Sequence, residues 1–164
     1  MKRILTLILA VIFIFTFSIS AFASNSNEQY IPKDSIVTYW ADGSYLVTTM
    51  TIDSKNDYSK GMITNTISGT KSMHYYSDEN HLEWEYHLTG TFYFVPGISA
   101  ECIGATHSKT IHSGNWSLSN ESTYYENNVA HGNGTFKKKV LFVTVKTVDV
   151  DLFITCDTNG NLSK

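Results

Sequence analysis

The stretch that decides the fold is residues 81–94, which read HLEWEYHLTGTFYF. Apolar and polar side chains alternate along it, with a glycine at one position of the apolar set. The apolar set is Leu82, Trp84, Tyr86, Leu88, Gly90, Phe92 and Phe94, and the opposite set is His81, Glu83, Glu85, His87, Thr89, Thr91 and Tyr93. Successive side chains of a β-strand point to opposite faces, so this pattern predicts a strand with one face in a core and the other in water.

The same period of two continues on both sides of this strand. Residues 36–40 and 45–52 alternate around Asp42-Gly43, a dipeptide typical of a tight hairpin turn. Further strands are predicted at residues 62–76, 99–111, 116–126, 129–138 and 141–156, and a loop is predicted at 53–60. We therefore predict an all-β domain, an antiparallel β-sandwich of about eight strands, with a closed or partly open β-barrel as the alternative.

The N-terminus has the pattern of a secretory signal peptide. Lys2 and Arg3 precede an apolar run at residues 4–19, and residues 20–23 supply the small side chains of a cleavage site. A retained membrane anchor is the alternative, but this run is shorter than the roughly 20 residues that span a bilayer. The predicted organisation is a signal-peptide helix at residues 1–23, a flexible leader at 24–34 and a single β domain at 35–164. We expect a secreted product, with any association with the cell wall being non-covalent.

Cleavage changes the charge of the chain. Without Lys2 and Arg3, 10 lysines and no arginine remain against 15 acidic residues, a formal net charge of −5. Nucleic-acid binding depends on clustered arginine and lysine, so we expect no nucleic-acid partner. The one locally basic run is Lys137, Lys138 and Lys139, and no later stretch is apolar enough to span a bilayer. We also expect no membrane partner after signal cleavage.

The chain contains two cysteines, Cys102 and Cys156. An even number of cysteines in an exported chain predicts a disulfide between them, and two buried free thiols are the alternative. Neither cysteine lies in a C-x-x-C motif, and no neighbouring residue in the sequence marks either one as an activated nucleophile.

Four residues of the polar face at 81–94 are metal-ligand types: His81, Glu83, Glu85 and His87. Because residues on one face of a strand lie about 6.6–7 Å apart, at most two neighbours could share an ion, and cross-strand partners would have to complete the site. The remaining histidines with no recognisable ligand spacing are His74, His107, His112 and His131. A solvated polar face is the preferred interpretation, and we assign neither a metal nor a cofactor.

No catalytic motif is present: the sequence lacks G-x-S-x-G, H-E-x-x-H and a phosphate-binding glycine loop. The chain is rich in aromatic residues, and the adjacent pairs Tyr75-Tyr76 and Tyr124-Tyr125 must each place one ring outward. We expect a non-enzymatic domain that recognises an unknown protein or glycan partner at the cell envelope or outside the cell. A carbohydrate or cell-wall binding module is the narrower form of this expectation. The alternatives are a secreted hydrolase with a dispersed active site and a toxin or antagonist of competing cells.

The run WADGSYLVTT at residues 40–49 resembles the opening of a family of small, uncharacterised secreted proteins of Gram-positive bacteria. Other parts that agree are Trp84 followed by residues 90–92, Cys102, the strand at Trp116, and residues 155–157 leading into 159–161. The resemblance implies export, an all-β fold and a paired Cys102 and Cys156. It transfers no catalytic residue.

Overall fold

The computed structural model describes residues 31–56 and 65–163, which form β-strands joined by turns. The strands are β1 (Ile36–Tyr39), β2 (Tyr45–Asn56), β3 (Asn65–Tyr76), β4 (Leu82–Val95), β5 (Ser99–Ile111), β6 (Trp116–Glu126), β7 (Val129–Val140), β8 (Val143–Cys156) and β9 (Leu162–Ser163). Neither range contains a helix long and apolar enough to cross a membrane. The all-β prediction is confirmed, whereas the predicted signal peptide and most of the predicted leader lie outside the described residues.

The strands form two antiparallel sheets. Strands β1 to β5 pair in chain order in the first sheet, and β6 to β9 pair in chain order in the second. The described strands do not close into a barrel, so the predicted sandwich is confirmed and the barrel alternative is wrong. Because each strand pairs with the next strand of the chain, both sheets are meanders.

Strand β2 is longer than the sequence pattern predicts. It continues to Asn56, so the predicted loop at 53–60 is wrong over its first four residues. A register shift between Ile52 and Ser54 accommodates the polar Asp53, whose carboxylate accepts hydrogen bonds from the Thr51 and Thr70 hydroxyls. Such a bulge lets one strand carry an extra residue without ending the pairing. The start of the strand predicted at 62–76 lies outside the described residues.

The core lies between the two sheets. Trp84, Tyr86, Leu88 and Phe92 of β4 are fully buried, as the alternation predicts. Trp84 stacks on Phe136 of β7 with ring centroids 3.7 Å apart. The inner face of β8 completes this core with Val148, Val150, Leu152, Ile154 and Cys156. Residues 31–164 form a compact unit by themselves.

The predicted disulfide between Cys102 and Cys156 is absent: both residues are free and buried. The backbone N–H groups of Cys102 and Cys156 donate to the carbonyls of Asn127 (2.7 Å) and Asn128 (3.0 Å), so one hairpin turn lies against both cysteines. The Cys102 thiol instead donates to the carbonyl of Gly104 within β5, and the Cys156 thiol donates to the carbonyl of Asp157 just after β8, each at 3.4 Å. Burial, together with the nearby charge of Asp157, raises the pKa of Cys156 to about 11, so this thiol is protonated at neutral pH.

Candidate metal centre

Strand register brings three potential metal ligands together on the outer face of the first sheet. His74 of β3 lies directly opposite Glu85 of β4, and His87 lies two residues further along β4. Residues two apart on a strand share a face, and directly paired residues on antiparallel strands are about 5 Å apart. His74, Glu85 and His87 therefore converge on one patch opposite the core face of β4.

The carboxylate of Glu85 is the centre of this patch. Its Oε2 atom lies 3.3 Å from Nε2 of His74 and 3.4 Å from Nε2 of His87. One ligand atom from each of the three residues lies within 4.8 Å of the other two. All three side chains are half-buried, at 21–26% exposure, so the patch is accessible to an ion and partly shielded from water.

A fourth residue, His112, completes what we call the Glu85 cluster: Glu85, His74, His87 and His112. His112 follows β5, and its backbone N–H donates to the carbonyl of Glu83 at 2.9 Å. This bond fixes the chain so that Nε2 of His112 lies 2.6 Å from Oε1 of Glu85. One carboxylate oxygen thus contacts His112, while the other oxygen lies between His74 and His87.

His87 is also held by a contact on its other ring nitrogen. Nδ1 of His87 lies 2.8 Å from the hydroxyl of Ser72. A partner on the second ring nitrogen orients an imidazole and fixes its tautomer, which is the usual arrangement around protein metal ligands. Nε2 of each ring faces Oε2 of Glu85.

The protonation states suit metal binding. Burial lowers the pKa of His74, and this effect outweighs the attraction of Glu85, so His74 is neutral at pH 7. Burial alone would raise the pKa of Glu85, but the hydrogen bond from His112 and the electrostatic interaction with the neighbouring imidazoles keep it below its ordinary value. A neutral imidazole and an ionised carboxylate are the forms that bind metal ions.

The structure brings together only half of the polar face considered in the sequence. Glu85 and His87 belong to the cluster, but His81 is exposed and lies 3.6 Å from Glu79. A register shift between Tyr75 and Tyr76 turns Glu83 inward. Its carboxylate there accepts a hydrogen bond from Trp116 Nε1 at 3.0 Å and lies 3.6 Å from the ammonium of Lys138.

Sequence reasoning missed His74 and His112, since ligand spacing along one strand carries no information about partners on the next strand. The pairing of His74 with Glu85 depends on the hairpin register at residues 77–81, and a shift of one residue would move His74 to the other face. The remaining two histidines lie elsewhere. His107 contacts Glu121 and Thr123, and His131 stacks on Tyr124.

A second surface feature lies on the outer face of the second sheet. Tyr124, His131 and Phe153 are direct register partners across β6, β7 and β8, and we call them the aromatic row. The Tyr124 and His131 rings are stacked with centroids 4.6 Å apart, and Tyr124 and Phe153 are nearly half exposed. In the adjacent row, Asn133 donates a hydrogen bond to Asp151 at 2.9 Å.

No family model, curated protein or solved structure matches this chain. The resemblance to secreted proteins of Gram-positive bacteria therefore stays a prediction.

Proposed function

We propose that the protein is an exported, non-enzymatic binding domain whose outer face binds a divalent transition metal ion, with Zn²⁺ as the reference ion. The ligands are His74, Glu85 and His87. The observation that supports this proposal is the convergence of their three ligand atoms within 4.8 Å, with Glu85 and His87 each held by a further side-chain contact.

The spacing of the ligand atoms fits such an ion. A tetrahedral ion with bonds of about 2.0–2.1 Å places its ligand atoms about 3.3–3.4 Å apart. The two distances from Glu85 Oε2 to the histidine nitrogens are 3.3 and 3.4 Å. The third distance, between the ligand atoms of the two histidines, is at most 4.8 Å. Binding of a tetrahedral ion therefore requires these two nitrogens to lie about 3.3–3.4 Å apart.

The ligand types select the class of metal. Two imidazoles and one carboxylate suit Zn²⁺, Cu²⁺ and Ni²⁺, whereas Ca²⁺ and Mg²⁺ prefer sites made only of oxygen ligands. His112 is not a ligand in this proposal. It holds Oε1 of Glu85 so that Oε2 faces the ion, and the open coordination position faces solvent, where a partner could supply the fourth ligand.

Isothermal titration of residues 24–164 with Zn²⁺ tests the proposal. We expect one ion per chain, an affinity reduced at least about 100-fold by Glu85→Gln, and a reduction of about 10–100-fold for His112→Gln. His81→Gln is the matched control, because His81 is an exposed histidine of the same region that lies outside the cluster. Absence of binding, or equal binding by wild type and Glu85→Gln, contradicts the proposal. Turnover of a cell-wall or peptide substrate contradicts its non-enzymatic part.

Glycan binding at the aromatic row is the second candidate function. Exposed rings on a sheet can stack on sugar rings, and neighbouring carboxylate and amide groups can bond sugar hydroxyls. Asn133 and Asp151 lie directly beside the row. Binding to glycan and peptidoglycan arrays should be lost in Tyr124→Ala combined with Phe153→Ala. It should be retained in Tyr39→Ala, which removes an exposed ring from the other sheet.

A further inference from the structure

The hairpin between β7 and β8 ends in an unusual turn. Val140 pairs directly with Val143, so Leu141 and Phe142 alone form the turn. Both have positive φ, 49° for Leu141 and 70° for Phe142. Positive φ at both central residues is the geometry of a type I′ turn, which strongly prefers Asn-Gly or Gly-Gly.

Leucine and phenylalanine are poorly suited to this geometry. Bulky residues in the left-handed region are strained, and strained positions cluster at sites of function. The strain is not offset by packing, since Leu141 is 87% exposed and Phe142 is 97% exposed. In contrast, the hairpin turn between β6 and β7 uses Asn127 at its positive φ of 51°, the residue type that tolerates it.

The apolar surface extends beyond the two turn residues. Val140, Val143 and Val145 are also 48–64% exposed, and together with Leu141 and Phe142 they form what we call the apolar tip. Such a concentration of exposed aliphatic and aromatic side chains usually marks a surface that another molecule covers.

Basic side chains adjoin the apolar tip. The segment 136–148 contains four lysines and no acidic residue, although the whole chain is acidic. Lys138 lies near Glu83, and Lys146 contacts Asp42. Among the described residues, no acidic group lies within 4 Å of the Lys137 or Lys139 ammonium. The positive charges of Lys137 and Lys139 therefore lie next to the apolar tip.

We propose that the apolar tip inserts into an anionic lipid surface, with Leu141 and Phe142 at the level of the acyl chains and Lys137 and Lys139 at the headgroups. The apolar tip, followed by the two lysines, has the same order as the acyl chains and the anionic headgroups of a bilayer. A two-residue turn is a projecting element, which suits insertion between lipids better than a flat protein contact. This proposal is independent of metal binding.

Insertion of the apolar tip into a lipid surface differs from the sequence-based expectation of no membrane partner. That expectation considered only segments long enough to span a bilayer, and a hairpin that inserts at the interface needs no such length. The lysine run was visible in the sequence, but the exposure of residues 140–145 was not.

Co-sedimentation of residues 24–164 with vesicles tests the proposal. We expect binding to vesicles of phosphatidylcholine with 30% phosphatidylglycerol and little binding to phosphatidylcholine alone. The double variant Leu141→Asn with Phe142→Gly keeps a favourable turn and should bind at least about tenfold more weakly. Lys137→Gln with Lys139→Gln should weaken binding to the anionic vesicles about fivefold per lysine.

Two further variants make the test specific. Ile98→Asn is the matched control, because Ile98 is an exposed apolar residue of the β4–β5 turn, where Gly97 donates to the carbonyl of Thr158 beyond the far end of β8. Its loss should leave binding unchanged. Phe142→Trp should retain binding and gain a blue shift in fluorescence when vesicles are added. Failure to bind anionic vesicles, or full binding by the Leu141→Asn, Phe142→Gly variant, overturns the proposal. So does self-association of wild type that this variant abolishes without any vesicle binding.

Discussion

Because Leu141 and Phe142 are strained in their turn, we expect that replacing both with residues suited to positive φ increases the stability of the domain. The change is Leu141→Asn together with Phe142→Gly. A bulky residue in the left-handed region costs about 1–2 kcal/mol, asparagine costs less and glycine has no such cost. Since the two native side chains are 87% and 97% exposed, their removal forfeits almost no burial. Allowing about 0.5–1 kcal/mol for the added chain entropy of glycine, we expect a net gain of about 1–2 kcal/mol.

Urea denaturation followed by tryptophan fluorescence measures this gain. Trp84 and Trp116 are buried and report global unfolding. The midpoint should move to higher urea with an unchanged slope, and Tm should rise by about 3–8 °C. Ile98→Asn, which removes another exposed apolar side chain but at a position without a positive φ, should change stability by less than about 0.5 kcal/mol. An unchanged or lower midpoint for the double variant would refute the strain argument. With the vesicle assay, the expected result is a variant that gains stability and loses binding.

Three other predictions concern the metal, an ion pair and a core glycine. Zn²⁺ at 100 times its Kd should stabilise the wild-type domain by about 2.7 kcal/mol in the same denaturation assay, and EDTA should reverse the effect. Hydrogen bonds from Lys146 and Ser44 lower the pKa of Asp42 from its ordinary value of 3.8 to about 2, so Asp42→Asn should destabilise the domain at pH 7, and the difference from wild type should disappear as the pH falls from about 4 to 2. Gly90→Ala should destabilise the domain by about 1–3 kcal/mol, because its Cβ would lie 2.7 Å from the Phe92 ring, whereas Gly104→Ala meets its nearest atom at 3.9 Å and should have little effect.

Local pattern was sufficient to predict most of the fold. Alternation at residues 81–94 identified the inner face of β4, and Asp42-Gly43 identified the first hairpin, with Gly43 at a positive φ of 83°. These features depend on the alternation of side chains along a strand and on the residue types of a turn, both of which can be recognised in a few consecutive residues. Leu141 and Phe142 are not turn-forming residue types, so the sequence contained no sign of a turn there. The final strand was therefore predicted to begin at residue 141, whereas β8 begins at Val143.

The candidate metal site was less accessible to sequence reasoning. Glu85 and His87 could be placed on one face, but the choice of His74 as their partner depends on pairing between strands. Glu83 was wrongly included, since a register shift at the end of β3 reverses the direction of its side chain. Register and bulges arise from the packing of whole strands, so a single-strand pattern does not contain them.

The meander order of both sheets has a consequence for how the chain folds. Each strand finds its partner across a short connection, so pairing within a sheet closes only small loops and is fast. The sheets then meet through side chains distant in sequence, such as Trp84 and Phe136. We therefore expect the rate-limiting step of folding to be the docking of two meanders already formed, with the second sheet completed only after the C-terminal half of the chain is available.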